Sequence, residues 1–548
     1  MGGAYGSKIV VTTRSNQVAS VMGTVPPYIL NGLPHKDCMS LFFKWAFVDG
    51  EEKKYPNLIK FGGEIVETSG GIPLAVRTLG SLLCTKTDES DWLFIKDNDI
   101  WRLEQREDDI LPALKLSYDR LPSQLQRCFS YCSLFPKDYH FDSRYLVHFW
   151  MALGLVIPYG NEELEDAGLR YLKEFLSRCF FQDVEDFGFY FTFKMHDLVH
   201  DLAVSVAERE CLVVKSETQN VDRRVRHFSF VDTHFYKDES PKLSSNTDSV
   251  RTIFFPREDY GFLTESFLKM CFSKYLRLLS LSSILHFALP DSIGTLKHLR
   301  YLDLSDNIFL TELPESICKL HSLQTLRLLG CSLLHGLPSN IKYMSSLRYL
   351  ELTTAARDIP ENGIECLKSL RYLCMDNCLN LLSLFDVQSL TALRTLCIQE
   401  CGCLISLPCS MKKLTRLEKL VIQDCPKLNL KMELQEEDTY LNLQTFMLID
   451  LPALEYLPQL ILQGSATTLQ YMRIEKCPSL KALPEWFQNL TSLQKLEIIS
   501  CRRLSSLPEG IQYLAALREK KIQDSPALSE RCRQDCLMTA HVSEIILD

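Results

Sequence analysis

Two histidines one helical turn apart, His196 and His200 in the run His-Asp-Leu-Val-His, form the densest chemistry-bearing spacing in this chain. On a helix both rings face one way, as the ligands of a catalytic zinc do. The acid between them is Asp197, one methylene shorter than the glutamate such a site uses, and no third ligand follows. A core-facing pair fits better than a metal site. The cysteine pairs Cys128/Cys132 and Cys532/Cys536, the second near His541, are spaced as helical neighbours, not as zinc knuckles. No Ser-His-Asp or Cys-His nucleophile pattern emerges. The expectation is therefore a protein that is not an enzyme and holds no metal of its own.

Charge supplies the other chemistry. Arg277, Arg300, Arg348, Arg371 and Arg394 recur at one position of a repeated hexamer, where later copies carry Glu418, Gln444, Gln470 and Gln494. Within the hexamers, Tyr301, Asp303, Arg327 and Glu497 interrupt the leucines. Such columns are either a solvated face or a basic docking strip, for an acidic partner or for the chain's own first half. The acidic run Glu162-Glu163-Leu-Glu165-Asp166 is expected to open a helix in solvent, its charge complementing the helix dipole.

The element that must position these side chains is the hexamer itself. Eleven copies begin between Leu276 and Leu517, spaced by 23, 24 or 26 residues, as in Leu299-Arg-Tyr-Leu-Asp-Leu304 and Leu493-Gln-Lys-Leu-Glu-Ile498. This period with the pattern LxxLxL marks a leucine-rich-repeat solenoid. The last two apolar residues of a copy lie two apart, so they share one side of a short strand and leave the residue between them on the concave face. One repeat cannot cover its own apolar side, so neighbours are obligatory. A Leu-Pro step such as Leu313-Pro314 or Leu483-Pro484 returns the chain, and its proline is expected to keep that segment extended. Cys331, Cys378, Cys401, Cys425, Cys477 and Cys501 take the place that Asn307 takes in an earlier copy, eight residues after the first leucine. A buried side chain there can bond the neighbouring backbone.

At 548 residues the chain exceeds one core. Net charge −9 with no compensating basic stretch argues against nucleic acid as a partner. Twenty-one scattered cysteines suggest a reducing compartment. The opening Met1-Gly-Gly-Ala-Tyr-Gly-Ser7 has no apolar core of a signal peptide, and no stretch is long and greasy enough to span a membrane.

A series of short segments precedes the repeats. Gly6-Ser-Lys-Ile-Val-Val-Thr-Thr-Arg14 comes first and reads as a buried strand ending in a charge. Leu33-Pro34, Leu41-Phe42 and Ala46-Phe47 follow, then Gly70-Gly-Ile-Pro-Leu-Ala75. Cys128-Phe-Ser-Tyr-Cys-Ser-Leu-Phe-Pro-Lys137, Trp150-Met-Ala152 and Lys194-Met-His-Asp-Leu-Val-His-Asp-Leu-Ala203 close the series. In this order the segments resemble the NB-ARC region of plant intracellular immune receptors of the coiled-coil NLR class, and the repeats behind them fit the same family.

The resemblance implies an ADP/ATP switch. Arg14 would sense the terminal phosphate, Pro73 would pack near the adenine, and His196, between Met195 and Asp197, would reach the diphosphate of ADP and lock the resting state. It implies a pathogen effector or a guarded host protein as partner, an intramolecular contact between the repeats and the NB-ARC part, and a cytoplasmic location, with the nucleus or the plasma-membrane periphery as alternatives. The sequence departs from the family in lacking any G-x-x-x-x-G-K-[ST] or Walker B strand, which suggests an N-terminally truncated receptor. Ile72 and Leu153 are smaller departures. A nucleotide-independent repeat adaptor or decoy is the alternative.

The expected fold class is α/β: a leucine-rich-repeat solenoid preceded by a partial NB-ARC module. Its parts are an α/β remnant at 1–30, a helical subdomain at 31–110, a winged helix at 111–215, a strand-containing transition at 216–259 with His227-Phe-Ser-Phe, and the repeats at 260–548.

Overall fold

The structure, a computed structural model, describes residues 7–13, 16–48, 50–102, 111–207, 210–215, 218, 221–231, 249–256, 272–284, 288–359, 363–430, 441–534 and 544–547. The chain divides into two compact units. The first comprises residues up to Leu121 together with Phe175–Phe180; the second comprises Pro122–Glu174 and Phe181 onward.

The first unit is helical. Its helices His35–Ala46, Pro56–Glu67, Pro73–Leu83, Glu89–Lys96 and Pro112–Asp119 enclose Phe42, Ile65, Leu79 and Trp92, all fully buried. Three of these five core helices begin with proline at the first turn, where its missing N–H costs nothing. Gly80 is required where two helices cross, because a Cβ there would stand 2.8 Å from the Phe42 carbonyl oxygen. The expected strand at Lys8–Thr13 does not form. Residues 7–13 are irregular and exposed, with Ile9 and Val10 more than four-fifths accessible. A β-branched run stays a strand only when a neighbour takes up its backbone hydrogen bonds, and none of the described strands pairs with it.

The second unit opens with helices Ser123–Ser130, Ser143–Leu153, Leu164–Ser177 (whose last turn is counted with the first unit) and Asp197–Ala207. Between them lies a small antiparallel sheet in which Phe191–Lys194 sits between Phe141–Asp142 and Gln182–Asp186. Asp142 starts the helix Ser143–Leu153 by accepting the Arg144 N–H at 2.7 Å, and Gly154 ends it in the left-handed conformation (φ 74°).

The rest is a parallel ladder. Fifteen strands, from Cys211–Val214 to Glu544–Leu547, pair each with its chain neighbour, in register. His227–Phe230 and Thr252–Phe254 are full rungs, so the ladder starts well before the expected residue 260. The strand expected around His227-Phe-Ser-Phe is present, and it belongs to the ladder although it carries phenylalanine in place of the leucine hexamer. Leu302, Leu326, Leu350, Leu373, Leu396, Leu420, Phe446, Met472 and Leu496 form one buried column. The Leu-Pro step behaves differently from expectation: the proline itself is extended, and a 3-10 turn follows it, as at Glu315–Lys319 after Pro314 (ψ 142°). Asn307 donates its amide to the carbonyls of Leu281 and Leu304, and Cys331 in the same slot donates its thiol to Leu304 at 3.2 Å.

Candidate functional site

The concave side of the ladder is occupied by the small sheet and its helices. Seen from the helix Ser143–Leu153, the contact is dense. Arg144 is held on Asp142 by two hydrogen bonds and donates to the Tyr372 hydroxyl at 2.7 Å. Tyr145 donates to Glu351 at 3.2 Å and lies under the Arg327 guanidinium, 3.6 Å from ring centroid to carbon. His148 meets the Thr325 hydroxyl at 3.2 Å and the Tyr349 ring at 4.4 Å. Burial drives the His148 imidazole down to about 4, so it stays neutral in the contact. At the helix end, the Leu153 carbonyl accepts from Arg277, and Arg300 faces Gly154.

The acidic run lies against the arginine column. Arg348 grips Glu165 with two hydrogen bonds and also reaches Glu163; Arg371 meets Glu163 at 3.2 Å, and Arg394 meets Asp166 at 2.9 Å. The run was expected to be a solvated helix start. It does open the helix Leu164–Ser177, but Glu163, Glu165 and Asp166 are satisfied by guanidinium groups of the ladder, and Glu162 by Arg170 of the helix itself. Burial pushes the Glu163 and Glu165 carboxyls up, and the Arg348 contact more than offsets it, leaving both below the ordinary carboxylate range. Charge-assisted, forked contacts of this kind are the strong class of hydrogen bond.

The hairpin tip between Gln182–Asp186 and Phe191–Lys194 completes the contact. Phe189 packs with an aromatic and sulfur cluster of Tyr349, Tyr372, Cys374, Cys397 and Met447, and its carbonyl accepts from Lys419 at 3.1 Å. Gly188 (φ 84°) lies so close to the ladder that a Cβ would stand 2.5 Å from the Tyr471 ring. The hairpin tip had no part in the sequence reading. A signal for it exists: Tyr301, Tyr349, Tyr372 and Tyr471 all hold the third hexamer position, an aromatic column that presents rings to the concave side.

The residues expected on the concave face divide in two. Arg348, Arg371 and Arg394 bond the acidic run, and Arg300 faces Gly154. Tyr301, Asp303 and Arg327 lie in one covered cluster, with Arg327 joined to Asp303 at 2.5 Å and to Glu351 at 2.7 Å. Glu497 lies further along and accepts from Tyr471 at 2.7 Å. Asp376, at the end of its strand, is desolvated and faces the charges of Glu400, Glu351 and Asp306, which push it up to about 7.

The residues tied to a nucleotide are placed as follows. Arg14 lies outside the described residues, as do Cys536 and His541. Pro73 is exposed at the first turn of its helix, in the first unit. In the second unit Met195 is buried, Asp197 is exposed, and His196 accepts the Leu198 N–H on Nδ1 at 3.1 Å, capping the helix Asp197–Ala207. His200 is buried and bonds the Phe135 carbonyl at 2.8 Å, and Cys132 donates to Cys128; no metal-type cluster of three ligands occurs among the described residues.

The comparisons agree with this geometry. Residues 134–203 match the family model described as "Disease resistance protein Winged helix domain", and 263–477 match "Leucine-rich repeat region". The chain is homologous to plant disease-resistance proteins. It is 48% identical over 204 residues to "Disease resistance protein RGA2" of Solanum bulbocastanum, covering 37% of this chain and 21% of that one. It is 33% identical over 234 residues to "Disease resistance protein RPM1" of Arabidopsis thaliana, covering 40% and 25%. The chain spans less than a third of the length of these curated relatives. Among solved structures, the "TLR13-ssRNA13 complex" aligns at 18% identity and TM-score 0.45, over 62% of this chain and 50% of that one. Among the described residues no helix is long and apolar enough to cross a membrane.

Proposed function

We propose that this leucine-rich-repeat defence protein works as the recognition-and-latch part of an intracellular immune receptor of the coiled-coil NB-ARC class, acting in the cytoplasm. The ladder would recognise a pathogen effector, or a host protein altered by one. The winged helix docked on its concave face would be the resting contact, coupled to an ADP/ATP switch in which Arg14, Pro73 and the Met195-His196-Asp197 segment take the family's roles. The supporting observation is the pairing of Glu163, Glu165 and Asp166 with Arg348, Arg371 and Arg394. A face that binds its own winged helix by forked ion pairs is biased toward one state, and a ligand that prefers the bare face shifts the balance.

A test is the triple reversal Arg348→Glu, Arg371→Glu and Arg394→Glu in the whole chain. Hydrogen exchange in Ser143–Leu153 and Leu164–Ser177 should accelerate by at least about tenfold, the effect of losing one such contact. Adding the compensating reversals Glu163→Arg, Glu165→Arg and Asp166→Arg to the same chain should slow it again. Unchanged exchange in the first variant would reject the latch. A second reading, a repeat adaptor or decoy that ignores nucleotide, is favoured by His196, whose Nδ1 is engaged in capping its own helix. Denaturing the purified chain and quantifying released ADP separates the two, stoichiometric ADP supporting the switch and none supporting the adaptor.

A further inference from the structure

The basic row of the ladder also runs toward its first rungs, and there it meets no acid. Arg226, Arg251, Arg277 and Arg300 stand just before four successive strands. Their backbones interlock, Arg251 donating to the Arg226 carbonyl, Arg277 to Arg251 and Arg300 to Arg277, each at 2.8 Å. Adjacent rungs lie about 4.8 Å apart, so four guanidinium groups share a length of roughly 15 Å. Arg127, on the helix Ser123–Ser130, joins them. Burial and the charges of Arg251, Arg226, Arg277 and Arg127 drive the His227 imidazole down to about 3. Arg277 is itself held below the ordinary guanidinium range by burial and by repulsion from Arg251 and Arg300. The four ladder arginines are half-buried, where repulsion is screened less than in open water.

Little in the protein offsets this charge. Among the described residues no carboxylate pairs with Arg127, Arg226, Arg251, Arg277 or Arg300. The Leu153 carbonyl takes one bond from Arg277, and Glu210, whose carbonyl accepts the Arg226 N–H at the head of the row, makes no ion pair with it. At the same position further along, Arg348, Arg371 and Arg394 are matched by Glu163, Glu165 and Asp166. All five unmatched cations are arginines, whose planar forks grip phosphoryl oxygens two at a time. An extended acidic peptide sets same-side carboxylates roughly 7 Å apart, wider than the step between rungs. We propose that this row binds a compact polyphosphorylated anion, with Arg251 at its centre and Arg226, Arg277 and Arg127 around it. A soluble polyphosphate ester and a phosphorylated lipid headgroup offer the same chemistry. The site uses none of the residues that hold the acidic run, so it does not rest on the latch.

The probe is tripolyphosphate, titrated into the whole chain by calorimetry without divalent ions. It should saturate below about 1 mM and raise the melting temperature, with orthophosphate at least about tenfold weaker. Arg251→Gln and, independently, Arg226→Gln should each weaken binding by roughly tenfold, their folding checked by melting curves without ligand. Arg503→Gln, at an exposed site near the far end of the ladder, should leave it unchanged. Phosphatidylcholine vesicles with and without phosphatidylinositol bisphosphate separate the two sources. Sedimentation only with the bisphosphate, reversed by tripolyphosphate, assigns a headgroup; binding of the free anion alone assigns a soluble ligand. No saturation, equal binding of hexaglutamate, or full affinity in both the Arg251 and Arg226 variants would overturn the proposal. So would lost binding in His196→Ala with Arg251→Gln unaffected, because the anion would then sit at the residues tied to a nucleotide. If the arginine reversal fails to loosen the winged helix while tripolyphosphate still binds, the latch falls and this site stands.

Discussion

The early and late rungs of the ladder share one backbone and one leucine core, yet their concave charges are satisfied in different ways. In the early rungs Arg277, Arg348, Arg371 and Arg394 reach across to the winged helix, to Leu153, Glu163, Glu165 and Asp166, while Arg327 serves two carboxylates beneath it. Further along, Arg473 bonds Glu475 and Lys495 bonds Glu497 and Glu519, all within the ladder itself. The repeat dictates where a side chain stands, and the order of signs along the column decides whether that face needs a partner. A run of like charge has to be neutralised from outside, whereas an alternating run neutralises itself.

The sharpest way to break this comparison is to remove one guanidinium from each half. Arg327 is 12% exposed and holds two carboxylates, Asp303 and Glu351, that would be left buried without it. Arg327→Met should cost about 3–5 kcal/mol in denaturant unfolding, the usual penalty for orphaning a buried charge. Arg473, 29% exposed, serves Glu475 and Glu497, and Glu497 keeps its bonds from Tyr471 and Lys495. Arg473→Met should cost under about 1 kcal/mol. Equal losses would remove the distinction between the halves.

The next effect belongs to the hairpin tip. Gly188→Ala places a methyl against the Tyr471 ring and strains a backbone at φ 84°, so it should weaken docking by about 2 kcal/mol. Faster hydrogen exchange in Phe191–Lys194, with the later rungs unchanged, would show it. Uniform exchange throughout the unit would place the damage elsewhere.

These contrasts also explain what was legible in the sequence. The ladder was, because a period of 23 to 26 residues with inward leucines has no other packed solution. The arginine column was visible, because identical residues at one hexamer position must share one edge, but whether it was a solvated face or a docking strip stayed open. Its occupant was not visible. Glu163 and Glu165 carry no mark that separates a solvated helix start from a buried partner, since that depends on a contact some two hundred residues away in sequence, as between Glu163 and Arg371. At His227–Phe230 a strand was legible, but not its place as a rung of the ladder. Phe228 and Phe230 fill the inward sites without spelling the leucine motif, and His227, in register with Thr252 on the other side of the strand, bonds Tyr131 and Thr252.

A smaller effect appears with pH. Asp376 in the covered half faces Glu400, Glu351 and Asp306, whereas Glu475, also at a strand end, has Arg473 beside it. Burial and those like charges raise Asp376 from 3.8 to about 7. For an acid held higher when folded, the associated stability is present at low pH and is lost as pH rises through the folded value. Glu163 and Glu165, held low, lose theirs only in stronger acid, and His148, held near 4, acts below its ordinary 6.5. Between pH 6.5 and 8.5 the difference between the parent chain and a variant at this position isolates Asp376. Asp376→Asn should melt above the parent chain at pH 8.5, with the gap narrowing toward pH 6.5; a gap that widens toward acid would contradict the assignment.

The weakest expected effect is the control on which the comparison rests. Lys495 sits 42% exposed between Glu497 and Glu519, in a region where charges alternate along the ladder. An exposed lysine in such a network gains little Coulomb energy against water and loses side-chain freedom, so Lys495→Met should shift unfolding by no more than about 0.5 kcal/mol. Salt should erase even that, because the pair is open to counterions at physiological ionic strength. Arg348→Met, whose side chain is 15% exposed under the acidic run, should by contrast keep most of its cost in high salt. If both variants respond to salt alike, the early contact is as wet as the late one, and the winged helix is held by its aromatic hairpin tip instead of by the arginines.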